Sequence, residues 1–361
     1  ADLAYLRRGP DQSFLLRNSF FRHWLDDWMR DHDDVDNVVT QVHGMPVLPS
    51  PEVSDDGPLE TIDGRYTLLA RVGEGATGIV YRAHDTLLDT EIAIKVLRPE
   101  YCAHEGALER FRQEIVLSRD IGHPNVLRTY HLGEYRQRKY LTMQWVDGQT
   151  LAQLITDEAP LEEAASVGIA LKLSAALAAA HACKVLHRDI KPGNVMVGKF
   201  GEVFVMDWSL AKVMGREEVI DEPTSTIIHT LRSDGSSSEH TLAGDVVGTP
   251  AFMAPEQALG RGDEVGPASD LYAVGAMLYL MLTGQIPYQP LGESVSALQI
   301  LEAVKAGPPW PITKVNPDAP PELVAVCEKA MAREIPERFS DAMALGEELR
   351  NWLEGHAVTT Y

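Results

Sequence analysis

Two short runs of this sequence contain residue types that can act together on a phosphate group. In the run 187–194, Asp189 is a candidate base and Lys191 is a cation that can bind phosphate. Asn194 ends this run with an amide that can bind a metal ion, and Asp207 follows the next apolar run with a carboxylate. Amide and carboxylate oxygens are ligands that suit Mg²⁺. The spacing therefore predicts a site for phosphoryl transfer from a magnesium-bound nucleotide.

The elements that must position these residues change in type along the chain. Apolar and β-branched runs predict strands at 66–70, 79–83, 91–97, 127–130 and 140–144, with a helix over 105–120. From Leu151 the pattern favours long helices, including 164–182 and 270–282. Strands followed by helices indicate an α+β arrangement in two lobes.

A glycine pattern of the form GxGxxG lies between the first two predicted strands. It reads Val72-Gly73-Glu74-Gly75-Ala76-Thr77-Gly78-Ile79-Val80. Dinucleotide-binding folds use the same pattern between a strand and a helix. Here the β-branched Ile79 and Val80 follow, so the loop opens into a strand. This favours a hairpin whose backbone amides can approach phosphates closely, and a simple glycine hairpin remains the alternative.

A lysine occupies the middle of the apolar strand Ala93-Ile94-Lys95. A buried ammonium is unfavourable unless an anion accompanies it. Glu114, on the following predicted helix, is the natural partner, and nucleotide phosphates would complete the surroundings of Lys95. A lysine at a sheet edge with its head group in water is the alternative.

Taken with the segment 248–257, Gly-Thr-Pro-Ala-Phe-Met-Ala-Pro-Glu-Gln, these motifs resemble those of bacterial eukaryotic-like (Hanks-type) serine/threonine protein kinases. The resemblance runs from about Arg65 to about Leu353. It implies a bilobal protein-kinase-like α+β fold, with a small β-rich N-lobe that has one key helix and a larger α-helical C-lobe. The implied bounds are 65–353 for the kinase domain, 65–144 for the N-lobe, 147–353 for the C-lobe and 354–361 for a tail.

The resemblance also implies a role for each matching residue. Asp189 would orient or deprotonate the substrate hydroxyl, and Lys191 would steady the γ-phosphoryl group. Lys95, held by Glu114, would bind the α- and β-phosphates. The implied magnesium ligands are Asn194 and Asp207. The implied ATP-binding residues are Val72, Gly73, Glu74, Gly75, Ala76, Thr77, Gly78, Val80, Ala93, Lys95, Met143, Gln144, Val146 and Met196.

One departure from the family pattern lies at the metal-binding carboxylate, where Asp207-Trp208-Ser209 replaces Asp-Phe-Gly. The carboxylate is retained, but serine allows fewer backbone angles than glycine. We expect less freedom to flip between active and inactive arrangements, and no loss of catalysis. The resemblance places Ser118 and Thr129 beside Trp208. Both are smaller than the usual aliphatic residues, so volume is expected to be conserved by exchange.

A second departure is the length of the segment from Asp207 to Glu256, which contains about fifty residues. We expect a flexible polar insertion at 216–240 in the unmodified protein. Its hydroxyl side chains suggest autophosphorylation, with Thr241 as the favoured position and Arg188 as the cation that binds the phosphate. The resemblance further implies a Glu256–Arg338 pair, and an Asp270 that caps the central helix and ties it to the catalytic loop.

The third departure is an N-terminal extension, residues 1–60. An amphipathic helix is predicted at 13–30, with an aromatic and apolar stripe formed by Phe21, Trp24, Leu25 and Trp28. An acidic, proline-rich linker is predicted at 31–60. The stripe is too apolar to face water alone. Packing on a kinase lobe, homodimerisation and docking to a partner all remain open.

Composition and charge indicate which classes of binding partner and which cellular location to expect. The net charge of −21 disfavours nucleic acid and anionic membrane surfaces. The longest apolar run, 271–282, is too short to span a bilayer, so no membrane segment is predicted. Three cysteines at unrelated spacings suggest reduced thiols and a cytoplasmic location. The start at Ala1, without Met, suggests a portion of a longer protein.

Three functions are compatible with these features. The main prediction is a serine/threonine protein kinase that uses ATP and Mg²⁺ on protein substrates. The alternative is a pseudokinase-like nucleotide-binding scaffold, suggested by Ser209 and by the long segment before Glu256. A small-molecule phosphotransferase is disfavoured, because the segment 248–256 resembles a peptide-binding platform.

Overall fold

The computed structural model describes residues 6–8, 14–16, 60–74, 78–98, 105–136, 138–214, 249–289 and 295–361. The strands are β1 Leu6–Arg8, β2 Phe14–Leu16, β3 Thr61–Ile62, β4 Tyr66–Glu74, β5 Gly78–Asp85, β6 Thr90–Leu97, β7 Thr129–Tyr135, β8 Arg138–Gln144, β9 Gly148–Thr150, β10 Val185–Leu186, β11 Val195–Gly198, β12 Val203–Val205 and β13 Lys212–Val213.

Among the described residues, one helix precedes residue 150, and the other helices follow it. The helices are α1 Glu105–Ile121, α2 Leu151–Glu158, α3 Glu163–Ala182, α4 Pro255–Ala258, α5 Pro267–Thr283, α6 Ala297–Ala306, α7 Ile312–Val315, α8 Pro321–Ala330 and α9 Ala342–Glu354. Short 3₁₀ turns lie at Pro192–Asn194, Thr249–Phe252 and Ile335–Glu337.

The small lobe is an antiparallel sheet in the order β3-β4-β5-β6-β8-β7. Residues directly opposite each other in such a sheet point to the same face. Ala83 pairs with Ile92, and both belong to a small apolar core on one face. Val80 pairs with Lys95 on the other face. The register therefore directs Lys95 away from the small-lobe core.

The large lobe is built around α3 and α5, which pack against each other and against α9 and α8 respectively. Almost every residue of α5 is buried. At Gly275 an added Cβ would lie 2.8 Å from the Cβ of Ala330. Glycine at this position therefore allows α5 and the end of α8 to approach closely.

The helix α3 is, within the described part of the chain, the one helix long and apolar enough to cross a membrane by length and composition. Half of its apolar window is buried inside the protein. Leu173 and Leu177 are fully buried in the large-lobe core. Packing against neighbouring helices therefore accounts for the apolar composition of α3.

Most of the predicted elements are confirmed, and the α+β arrangement in two lobes is confirmed with them. The helices predicted at 105–120, 164–182 and 270–282 correspond to α1, α3 and α5. The strand predicted at 127–130 begins later, at Thr129, because Leu127 instead donates its N–H to the Val205 carbonyl of the other lobe.

The helix predicted at 13–30 is wrong at its start. Residues 14–16 form β2, which pairs antiparallel with β1. The intervening sequence contains Gly9, Pro10 and Asp11, residue types that favour turns between strands. This turn signal outweighed the helical spacing. The rest of the predicted helix and the linker at 31–59 lie outside the described residues.

Candidate active site

The catalytic loop, residues 187–194, is held in place by Asp270, which lies in the first turn of α5. Its carboxylate accepts the backbone N–H of His187 at 3.1 Å and that of Arg188 at 2.9 Å. His181 Nε2 adds a contact of 2.8 Å to the same carboxylate. The predicted tie between Asp270 and the catalytic loop is confirmed, whereas Gly266, not Asp270, is the N-cap of α5.

Three predicted site residues meet within this loop. Asp189 Oδ2 accepts Lys191 Nζ at 2.9 Å and Asn194 Nδ2 at 2.9 Å. Asn194 Nδ2 also donates to the Asp189 carbonyl at 2.7 Å. The 3₁₀ turn Pro192–Asn194 returns the chain so that these side chains converge. The amide is thereby oriented, and the Asn194 amide oxygen is the atom left for a metal ion.

Asp207 links this loop to the small lobe. Its carboxylate Oδ2 lies 4.0 Å from Lys95 Nζ, which comes from β6. Partial burial acts to raise the pKa of Asp207, but the Lys95 charge and a hydrogen bond from Ser209 outweigh it and lower the pKa to about 2. Asp207 is therefore ionised at neutral pH.

Glu114 lies near this pair and feels the charges of both residues. Lys95 forms an ion pair with Asp207, and Glu114 Oε2 makes no hydrogen bond with the described residues. Burial and the charge of Asp207 raise the pKa of Glu114 from 4.5 to about 7, although Lys95 opposes this shift. The Lys95–Glu114 pair that the resemblance implies remains a prediction.

A pH dependence of stability follows from Glu114. Because its pKa is higher in the folded protein, the folded state binds more protons between pH 4.5 and 7, and stability falls as the pH rises through that window. The loss is about 3 kcal/mol. Denaturant unfolding of Glu114→Gln, measured without nucleotide, should show no such fall in stability between pH 4.5 and 7. A parent and variant with parallel pH profiles would contradict it.

Trp208 packs against His187 of the catalytic loop. Its ring lies 4.6 Å from that of His187 in an edge-on contact, and its side chain is buried. His187 Nδ1 accepts the Asp189 N–H at 3.3 Å, so its proton lies on Nε2, which donates to the Met206 carbonyl at 3.1 Å. The buried indole N–H of Trp208 has no hydrogen-bond partner among the described residues.

The volume exchange proposed between Trp208 and the pair Ser118 and Thr129 can be tested by substitution. Both hydroxyl residues are buried, and their hydroxyl groups are hydrogen-bonded to each other. Ser118→Leu should destabilise the fold by about 1–3 kcal/mol through overpacking. Thermal unfolding measures this, with Val116→Leu on the exposed face of α1 as the matched control. An unchanged melting temperature in Ser118→Leu would reject the exchange.

The predicted nucleotide-binding residues fall in both lobes. Ala93 pairs directly with Met143, on the same sheet face as Val80 and Lys95. Val146 is buried between β8 and β9, and Met196 lies in β11 of the large lobe. The described loop positions are Val72, Gly73, Glu74 and Gly78. Gly75, Ala76 and Thr77 lie outside the described residues, and the set stays a prediction as nucleotide contacts.

The donor atoms suit a magnesium ion. An ionised carboxylate of Asp207 and a side-chain amide oxygen of Asn194 are hard oxygen ligands. The two residues are adjacent in space, because the Met206 N–H donates to the Asn194 carbonyl at 2.9 Å. Mg²⁺ is commonly held by one or two such side chains together with phosphate oxygens. The residues therefore fit the ion that the sequence predicts.

Two features escaped the sequence prediction. Ser209 donates its hydroxyl to Asp207 Oδ1 at 2.6 Å, and Gln113 of α1 donates to the Ala211 carbonyl at 3.4 Å. The serine was noted only for its backbone, and nothing in the spacing identifies a partner for Gln113. The predicted phosphorylation segment, including 216–240 and Thr241, lies outside the described residues.

Comparison with known proteins gives consistent matches. Residues 66–349 match the family described as protein kinase domain. A Lactococcus lactis protein named probable serine/threonine-protein kinase PknB is 33% identical over 278 residues, which are 77% of this chain and 40% of that protein. The Bacillus subtilis serine/threonine-protein kinase PrkC is 34% identical over 281 residues, 78% of this chain and 39% of that protein.

A solved structure supports the same fold. The kinase domain of Mycobacterium tuberculosis PknI superposes with a TM-score of 0.57 at 23% identity, covering 81% of this chain and 97% of that chain. The match covers nearly all of that kinase domain, whereas the chain spans about two fifths of the length of the two curated relatives.

Proposed function

Since this chain belongs to the protein kinase domain family, as a bacterial eukaryotic-like (Hanks-type) serine/threonine kinase domain, we propose that it transfers the γ-phosphoryl group of ATP to serine or threonine hydroxyls of proteins. The observation that supports this most directly is the 4.0 Å approach of Lys95 and Asp207 from separate lobes. Two charges of opposite sign so placed suit a metal-bound triphosphate.

Asp189 receives the proton of the substrate hydroxyl in this proposal. Its Oδ2 is occupied by Lys191 and Asn194, so Oδ1 is the oxygen that faces the hydroxyl. Lys191 then lies within reach of the group being transferred and opposes its negative charge. Because phosphoryl transfer has a loose transition state, positioning and charge stabilisation do most of the catalytic work.

Lys95 binds the remaining phosphates, and Asn194 and Asp207 hold Mg²⁺. The ion, when bound, neutralises charge on the phosphate oxygens. Asp207 can serve as a ligand across the physiological pH range because its pKa is near 2. Val80, Ala93, Met143 and Met196 supply apolar surface for the adenine.

Autophosphorylation on the segment between Asp207 and Glu256 is part of the proposal. Thr241 is the favoured acceptor, and Arg188 is the favoured cation for the phosphate. Arg188 Nε donates to the Leu210 carbonyl at 2.9 Å, so the guanidinium already lies against the start of this segment. Protein substrates carry serine or threonine, and a cytoplasmic location is proposed because ATP is available there.

The test is transfer of label from γ-labelled ATP, with Mg²⁺, to the protein itself and to a generic basic protein. The parent should become labelled or label the substrate, and Asp207→Ala should do neither. Glu354→Ala, at an exposed position of α9, is the matched control and should behave as the parent. Tight nucleotide binding with no label in the parent would instead support the pseudokinase-like scaffold.

A further inference from the structure

A hydroxyl side chain touches the proposed metal-binding carboxylate from within the same turn. Ser209 Oγ donates to Asp207 Oδ1 at 2.6 Å, a short distance typical of a hydrogen bond to a charged oxygen. The other oxygen, Oδ2, lies 4.0 Å from Lys95 Nζ. The two oxygens thus have different surroundings: Oδ1 is hydrogen-bonded to Ser209, and Oδ2 faces the Lys95 charge.

The backbone at this point needs such support. Asp207 has φ of 63°, in the left-handed region that residues other than glycine adopt at a cost of about 1–3 kcal/mol. The following turn is held on both sides, because Arg188 donates to the Leu210 carbonyl and Gln113 donates to the Ala211 carbonyl. The Ala211 N–H closes it by donating to the Trp208 carbonyl at 3.1 Å.

The serine is not required by its own backbone. Ser209 is absent from the described residues that have positive φ, so its conformation is open to most residue types. What serine adds over glycine or alanine is the hydroxyl, and the hydroxyl is used on Asp207.

From this geometry we infer that Ser209 is a positioning residue, which holds the Asp207 carboxylate in its metal-binding orientation before Mg²⁺ and nucleotide arrive. The inference rests on the proposed function of Asp207. It assigns Ser209 an influence on the magnesium requirement of nucleotide binding, and none on the proton transfer at Asp189.

The experiment is calorimetric binding of ADP over a series of Mg²⁺ concentrations, on the parent and three variants. Ser209→Ala keeps the side-chain carbon and removes the hydroxyl, Ser209→Gly also frees the backbone, and Ser209→Thr keeps the hydroxyl. Ser209→Ala should raise the Mg²⁺ concentration for half-maximal binding about three- to tenfold, the net effect of one hydrogen bond of average strength. Ser209→Thr should stay within about twofold of the parent.

A second readout separates positioning from folding. The melting temperature of nucleotide-free Ser209→Ala should remain close to that of the parent. An unchanged magnesium requirement in Ser209→Ala, or a Ser209→Thr that behaves like alanine, would overturn the inference while leaving the kinase proposal intact. A drop in melting temperature without a change in magnesium requirement would also overturn it. A parent that binds no ADP at any Mg²⁺ concentration would overturn both.

Discussion

Replacement of Asp189 by Asn is expected to lower kcat by about 10²- to 10⁴-fold, the usual contribution of a positioned base. The amide cannot accept the hydroxyl proton, but it retains an oxygen for Lys191 and Asn194, both of which contact Oδ2 in the parent. Nucleotide affinity should therefore change by less than about threefold, because the interaction removed is made mainly in the transition state.

The measurement is single-turnover phosphorylation of a generic substrate, with ADP binding measured in parallel. Thermal unfolding serves as the control for local repacking of the catalytic loop. Activity within about tenfold of the parent would show that another group accepts or orients the hydroxyl, since so small a change lies below the usual effect of a positioned base. A loss of ADP binding equal to the loss of rate would instead make Asp189 a binding residue.

The sequence was most informative where chemistry is local. The eight residues 187–194 come together through one tight loop, so their order in the chain predicted which side chains would meet. The Glu256–Arg338 pair was also predicted, through the resemblance, and is confirmed by two hydrogen bonds of 2.8 Å.

Contacts that depend on side-chain conformation were not predictable in the same way. Whether Lys95 approaches Asp207 or Glu114 depends on the relative position of α1 and the sheet, which no short motif specifies. In the structure the Lys95 ammonium pairs with Asp207, and burial together with the Asp207 charge favours the protonated form of Glu114. The bond from Ser209 to Asp207 likewise depends on one rotamer.

The strand pair β1 and β2 shows where the sequence prediction failed. Helical spacing of aromatic residues at 21–28 suggested a helix that begins at Ser13, but residues 14–16 pair with β1. A three-residue strand has too few residues for a periodic pattern to show. The Gly9-Pro10-Asp11 turn signal was the better guide to that part of the chain.

Replacement of Arg338 by Met is expected to destabilise the large lobe by about 3–5 kcal/mol, because it leaves a buried charge without its partner. The Arg338 side chain is fully buried and donates to both oxygens of Glu256. It also donates to the carbonyls of Ala332, Ala268 and Arg333. The substitution therefore removes a donor from five acceptor atoms at once.

Urea unfolding at pH 7 measures the loss of stability in Arg338→Met, and two further variants serve as comparisons. Arg261→Met removes an exposed ion pair with Glu264 and should change stability by less than about 1 kcal/mol. Glu256→Met combined with Arg338→Met should recover part of the loss, because apolar replacement of a whole buried pair is often tolerated. A single Arg338→Met within about 1 kcal/mol of the parent would contradict the argument.

The pH dependence of the same variant distinguishes a charge effect from lost packing. Burial acts to raise the pKa of Glu256, but hydrogen bonds from Arg338 and Ser269 outweigh it and lower the pKa below 4.5 in the parent. The stability contributed by this carboxylate is thus present above pH 4.5 and is lost as the pH falls through the folded pKa. Without Arg338, burial raises the pKa instead, and the carboxyl can take up a proton. The deficit of Arg338→Met should therefore shrink between pH 7 and pH 5, whereas a deficit caused by packing alone would not change.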